Sequence, residues 1–235
     1  MNLTRPIDET QTLKPAFDQL LKERHSCRGF LPEPVPKEVI ESALRMAQQT
    51  ASWSNTQAWR VHLCSGAATK RLSAALLQAL AAGDPGGSDI PWPTGFEAEY
   101  LDRRRACGHG LYQAVGVARG DKEGYARQHD ENYRFFGAPH VAILTSPGFL
   151  GPYGAVDVGA YVQILMLSLQ AHGVASIAQA ALATHSELVK SQLGIGDDRT
   201  MVCGISFGYK DPEHPANSFR TSRAPLEEVV NWIHD

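Results

Sequence analysis

The chain has 235 residues, with 22 Lys+Arg against 25 Asp+Glu and a formal charge of −3, which excludes a nucleic-acid binder working through bulk positive charge. Surface scaling for this length gives roughly 10,400 Å² folded against about 37,000 Å² unfolded, a core ample for one domain or two small ones without disulfide staples. Hydrophobic residues make up 43% and charged residues only 20%, below the usual ~25% charged, a shortfall that predicts surface hidden by a second subunit.

The first 13 residues are polar, carry no apolar leader segment, and predict a loose arm. Residues 15–24 start at Pro15 and set Phe17, Leu20 and Leu21 at helical spacing. A second helix is predicted over 36–49, with Val39, Ile40, Ala43, Leu44 and Ala47 on one face. The polar loop ASWSNTQA follows, then WRVHLCS, whose alternation predicts a strand with Trp59, Val61 and Leu63 on one side. A helix over 68–82 precedes DPGGSDIPWPTGF, dense in Pro and Gly, which reads as the start of a flexible excursion.

Helices over 97–118 and 121–135 complete that excursion, residues 83–130, and lead into the apolar strand HVAILT at 140–145. A helix over 155–172 lies in a tract, Val158 to Ser186, without Asp, Glu, Lys or Arg. Gln163, Ser168, Gln170 and Gly173 interrupt it, so it reads as a core or subunit-interface helix and a short connection, not a membrane span. SELVKSQLG is a short helix capped by Ser186 and ended by Gly194, RTMVCGISFGY a second buried strand, and LEEVVNWI a closing helix. Few strands, several helices and no regular βαβ alternation define an α+β pattern. The cysteines Cys27, Cys64, Cys107 and Cys203 are widely spaced with no CxxC pair, which predicts free thiols in the cytoplasm.

Three segments carry chemical signals. Arg24-His25-Ser26-Cys27-Arg28 sets two guanidiniums around a hydroxyl where the chain leaves a helix, a pattern suited to a phosphate but, taken alone, better explained by cations at a helix C-terminus. Ser52-Trp53-Ser54-Asn55-Thr56-Gln57 could read the polar edge of a heterocycle, with Trp53 as a flat wall, or form an ordinary turn. Arg220-Thr221-Ser222-Arg223 is a basic pair in a loop, whereas Arg103-Arg104-Arg105 reads as a solvated helix face. Gly204-Ile205-Ser206-Phe207-Gly208 matches the GxSxG of hydrolases, but YKDPEHPANS follows where that elbow needs a helix. No HExxH, other metal-ligand spacing or GxGxxG is present, so no metal is expected.

Taken in order, RHSCRGF, SWSNTQAW, the charge-free helix running into SIAQAAL, SFGY and SRAPLEEVV resemble the nitroreductase family from about Ala16 to Ile233, with the nitrobenzoate-reductase-like branch nearest. The resemblance implies a single FMN-binding domain over residues 14–235, with a central, mostly antiparallel sheet surrounded by helices, in an intertwined homodimer with FMN at the shared interface. It implies that Arg24 and Ser26 hold the FMN phosphate and ribityl chain, with His25 in backbone contact and Arg28 toward the pyrimidine. Arg223 matches an arginine that closes on the phosphate, and Arg220 stands in for a family lysine where this chain has Thr221. Ser52, Trp53, Ser54 and Asn55 would act across the dimer, with Gln57 near the ring. The backbone of Ala178-Gln179-Ala180 would face flavin N5 and O4, and Asn132 and Arg134 would approach the pyrimidine.

By the same resemblance no side chain is catalytic. FMN carries the chemistry, taking hydride from NADH or NADPH at N5 and passing it, ping-pong, to a nitroaromatic or similar planar, electron-poor acceptor. The alternatives are a flavin storage or sensory protein, or a quinone or alkene reductase on the same fold.

Overall fold

The apolar run at 140–147 forms the strand around which the chain organises itself. In the computed structural model, which describes residues 7–234, this is β2 (His140–Pro147), buried along its whole length except at Pro147. It pairs antiparallel with β1 (Arg60–Ser65) and β4 (Arg199–Gly208), and β4 pairs antiparallel with β3 (Ala175–Gln179), giving the order β1-β2-β4-β3. Successive side chains of a strand point to opposite faces. Val141 and Ile143 accordingly join Leu72, Leu76 and Val189 from α3 (Ala67–Ala81) and α7 (Ser186–Leu193). Ala142 and Leu144 join Ile40, Val158, Leu165 and Leu169 from α2 (Lys37–Ala47) and α6 (Gly151–Ala171). Helices thus cover both faces of an antiparallel sheet, the α+β architecture expected.

A bulge adjusts β4 to this sandwich. Leu144 pairs with Cys203 but Thr145 pairs with Met201, which leaves Val202 as an extra residue. An extra residue flips side-chain direction, so Met201 packs toward α3 and α7 while Ile205 and Phe207 pack toward α6. Over Gly148–Ala171 the chain has a helix long and apolar enough, by length and composition, to cross a bilayer. Here Val158, Tyr161, Leu165 and Leu169 of that helix are core residues, each at most 2% exposed. The remaining long helices are α1 (Ile7–Glu23), α4 (Ala98–Ala114) and α5 (Lys122–Asp130).

Several expectations change. The loose arm over 1–13 lies partly outside the described residues, and from Ile7 the chain is already helical, with Pro15 inside α1 rather than at its start. Residues 12–17 are exposed, so carbonyls freed by the missing proline N–H can meet water. The connection after α6 contains β3, and only one 3₁₀ turn, Leu226–Glu228, forms where a closing helix was expected. On β1, Leu63 is exposed and Cys64 buried, because β1 is an edge strand whose expected apolar face is incompletely covered within the chain. Ser186 does not cap α7; its hydroxyl bonds the Gly87 carbonyl and the Asp89 carboxylate.

That last contact shows that the Pro/Gly-rich excursion is pinned rather than loose. Gly87 forms a parallel bridge with His185, and Asp89 accepts from Ser186 at 2.7 Å, Lys190 at 3.2 Å and the Met201 N–H at 2.8 Å. Burial alone would raise the Asp89 carboxyl, but the Met201 N–H, the Ser186 hydroxyl and Lys190 together hold it below its ordinary value.

Candidate anion-binding site

Where α1 ends, the chain runs onto the free edge of the sheet. The Arg24 N–H still bonds the Leu20 carbonyl; two residues later Ser26 forms a parallel bridge with Ser176, and the Cys27 N–H donates to the Ser176 carbonyl at 3.2 Å. Cys27 and Phe30 are buried and fix this crossing in the core. Arg24 and Arg28 therefore flank the edge of β3.

The C-terminal loop is tied to the same segment by a residue that carried no sequence signal, Asn217. Its side chain accepts from the Arg28 N–H at 2.8 Å and donates to the carbonyls of Gly29 at 2.8 Å and Asp211 at 2.9 Å. The approach is close enough that a Cβ on Gly29 would stand 2.2 Å from the His214 ring. On the other side, a Cβ on Gly110 of α4 would stand 2.3 Å from Phe219. Only glycine lets the helix and the loop close together here.

The result is a cavity of about 490 Å³ that brings together Arg24, His25, Ser26, Arg28, Arg220 and Arg223, with Cys107 and Phe219 in its wall, a size within the range of small-ligand sites. No carboxylate of the described residues lines it. The guanidiniums turn instead to neutral oxygens: Arg28 to the Ser26 carbonyl, Arg220 to the Asn217 and Phe219 carbonyls, Arg223 to the Thr221 hydroxyl. Burial, followed by the nearby Arg223 charge, lowers the pKa of Arg24, and burial lowers that of Arg28. His25 is also lowered, by burial foremost and then by Arg220, Lys210 and Arg24 against the opposing Glu23 carbonyl. Its Nδ1 lies 2.8 Å from that carbonyl, while its buried Nε2 has no partner among the described residues. Like charges gathered without a counterion are tolerable when an anion completes the set.

The strand edge adds neutral hydrogen-bonding groups. Ser176 turns its carbonyl outward to Cys27, and residues two apart on an antiparallel strand share that direction. Ala178 thus presents its peptide groups along the edge, while Gln179 faces Gly204 of β4. The side chain of Gln179 is 3% exposed and turned into the protein, so only backbone around it is available to a ligand.

The Ser52–Gln57 loop lies elsewhere in the chain, on α6. The Asp157 carboxylate accepts from the Trp53 N–H at 3.1 Å and the Thr56 hydroxyl at 3.2 Å, and Trp53 packs on Tyr153 with ring centroids 4.9 Å apart. Ser54, Asn55 and Gln57 all have positive φ (49°, 55° and 48°), and the Ser52 hydroxyl accepts from the Gln57 N–H at 3.0 Å. Such conformations cost of order 1–3 kcal/mol each and persist where surroundings dictate them. Asp157 was missed in the sequence, although it is the last charge before the charge-free tract. Asn132 and Arg134 do not reach the cavity: Arg134 pairs with Glu131 at 3.4 Å and lines a separate cleft with Leu77 and Ala126, while Asn132 accepts from Gln179. A left-handed turn, Phe135 (φ 56°) to Gly137 (φ 80°), holds both there by burying two phenyl rings.

A helix-covered antiparallel sheet whose free edge runs beside four arginines, none of them ion-paired among the described residues, defines an α+β protein with a cavity suited by charge to an anion. More particularly, the chain belongs to the nitroreductase family, whose model matches residues 21–209. It is 39% identical to nitroreductase NfnB of Mycolicibacterium smegmatis over 97% of both chains. It is 33% identical to a 4-nitrobenzoate reductase of Pseudomonas putida over 92% of this chain and 95% of that one. Among solved structures, the FMN-dependent nitroreductase NfnB from Mycobacterium smegmatis in complex with NADPH superposes with a TM-score of 0.90 at 38% identity, covering 94% of this chain and all (100%) of that one. An FMN- and NADPH-dependent nitroreductase from Sphigopyxis sp. strain HMH gives a TM-score of 0.90 at 31% identity over 93% and 99%.

Proposed function

We propose that the chain is an FMN-dependent oxidoreductase that reduces nitroaromatic compounds, or similar planar electron-poor acceptors, with NADPH or NADH. The observation that carries this reading is the cavity itself. Four guanidiniums without a carboxylate fit a phosphate dianion, the orphaned His25 Nε2 offers a buried acceptor, and the Ala178 edge offers backbone groups to a heterocycle. Arg24, Ser26, Arg220 and Arg223 would hold the phosphate and ribityl chain, and Arg28 would set positive charge beside the ring. FMN supplies the hydride exchange between the nicotinamide donor and the acceptor. The chain binds and orients, and its cations favour the more negative, reduced form. No nucleophile or metal is needed for that work.

The active unit in this reading is a homodimer. Phe149, Tyr153, Val156 and Trp53, on and beside the N-terminal half of α6, are 88%, 62%, 66% and 60% exposed. A second copy covering that face would carry the Ser52–Gln57 loop, pre-shaped by Asp157, toward the neighbouring site. The free thiols suit a reducing, cytoplasmic setting.

The test is purification followed by anaerobic titration. A flavin absorbance that NADPH or NADH bleaches, and that 4-nitrobenzoate or nitrobenzene restores, is the expected result. A colourless protein that fails to take up FMN would overturn the reading, and bound flavin that no nicotinamide reduces would make it a carrier or sensor.

A further inference from the structure

The serine of the GxSxG run has no part in hydrolysis, yet it is not idle. Ser206 is fully buried on β4, and its hydroxyl donates to Oε1 of Gln179 in a very short contact. Nε2 of the same carboxamide donates to the Asn132 carbonyl at 2.9 Å and reaches Asn132 Oδ1 at 3.3 Å. One amide therefore bolts the end of β3 to β4 at one side and to the turn after α5 at the other. Burying a carboxamide is costly unless it is bonded in this way, and an apolar side chain would fill the space at less cost. The polar choice needs a reason beyond packing.

Position supplies the reason. Gln179 stands between Ala178 and Ala180, both exposed, whose backbone forms the open edge beside the arginines. Beneath them Gly204 is bare because a Cβ would stand 2.4 Å from Leu182 Cδ1, so the turn that follows β3 lies directly on β4. Hydrogen-bond donors stabilise a developing charge only when held rigidly at the right distance.

We propose that Gln179, locked by Ser206 and Asn132, is a positioning residue that holds the Ala178–Ala180 backbone in register with the flavin ring and so sets the relative affinity for reduced and oxidised FMN. This rests on the FMN reading above. In Ser206→Ala the carboxamide oxygen loses its donor and the edge loosens; Ser206→Thr retains a hydroxyl and restores it. Gln179→Glu, nearly isosteric, loses the donation to Asn132 and serves should Ser206→Ala fail to fold.

Two measurements test this. Hydrogen exchange on the FMN-free protein is expected to quicken about tenfold at residues 177–181 in Ser206→Ala and Gln179→Glu, and to return toward the parent rate in Ser206→Thr. The affinity ratio for reduced over oxidised FMN is expected to shift about tenfold in the first two variants, about 30 mV for a two-electron couple. Unchanged exchange, an unchanged ratio in variants that bind FMN, or a Ser206→Thr chain that behaves like Ser206→Ala would each overturn the proposal. An unaltered chain that binds no FMN defeats the function itself, while the exchange measurement, made without FMN, still reports on the lock.

Discussion

A single guanidinium shows how the site is balanced. Arg24 is pressed by burial and by Arg223, and no carboxylate of the described residues lines its cavity, which fits the ligand-holding role proposed above. Arg24→Ala is expected to weaken FMN binding about 100-fold, the loss of roughly 2–3 kcal/mol typical of a hydrogen bond to a charged group. The melting temperature of the FMN-free protein should hold or rise, because a repulsion is removed; calorimetry with and without FMN separates the two effects, and a large fall without FMN would contradict the assignment. Gly29 acts oppositely. Gly29→Ala forces a Cβ against the His214 ring at 2.2 Å, and overpacking of this kind costs about 1–3 kcal/mol. Lower stability and weaker FMN retention should appear together, since Asn217 bonds the Gly29 carbonyl and the Arg28 N–H.

At the level of elements, the Asp89 clamp makes the excursion a docked segment. Asp89→Ala leaves Lys190 and the Met201 N–H without their buried acceptor and should cost about 3 kcal/mol, seen in denaturant unfolding and in earlier proteolysis near residues 84–96. The docked carboxyl titrates below its ordinary value. Its contribution is thus complete above about pH 3.9 and disappears as the pH falls through the lower, docked value. Proteolysis by an acid-active protease should therefore open at this segment in the parent chain only under strongly acidic conditions, and Asp89→Ala should lose that pH dependence. Helices α2 and α3 were legible because apolar residues such as Ile40, Ala43 and Ala47, or Leu72 and Leu76, recur at helical spacing and are buried. β3 was not, because ASIAQ is five residues long and is a strand only through its pairing with β4. LEEVVNWI misled in the other direction: its spacing suits a helix, but Leu226, Val229, Trp232 and Ile233 are exposed and find no core to coil against. The cavity arginines were readable as motifs, whereas Asn217 and Asp157 act through contacts 188 and 104 positions away in sequence, which no local pattern records.

For the whole molecule, the bare apolar face of α6 sets the prediction. Val156→Asp places a charge where 66% of the side chain is exposed, so the isolated fold should tolerate it, with circular dichroism unchanged. Sedimentation should shift from dimer to monomer and FMN retention should fall; a dimer of parent affinity would refute the proposed interface. The low charged fraction noted at the outset acquires a place in this face. The free edge of β3 has a further consequence, for the newly made chain before FMN is bound. A strand edge with unsatisfied peptide groups is a template on which another chain can extend a sheet, and natural proteins guard such edges with charge. Arg24 and Arg28 stand at the two ends of the segment that crosses this edge, with Arg220 and Arg223 nearby. Two nascent copies approaching edge to edge would bring eight guanidiniums together, a repulsion that would oppose such pairing.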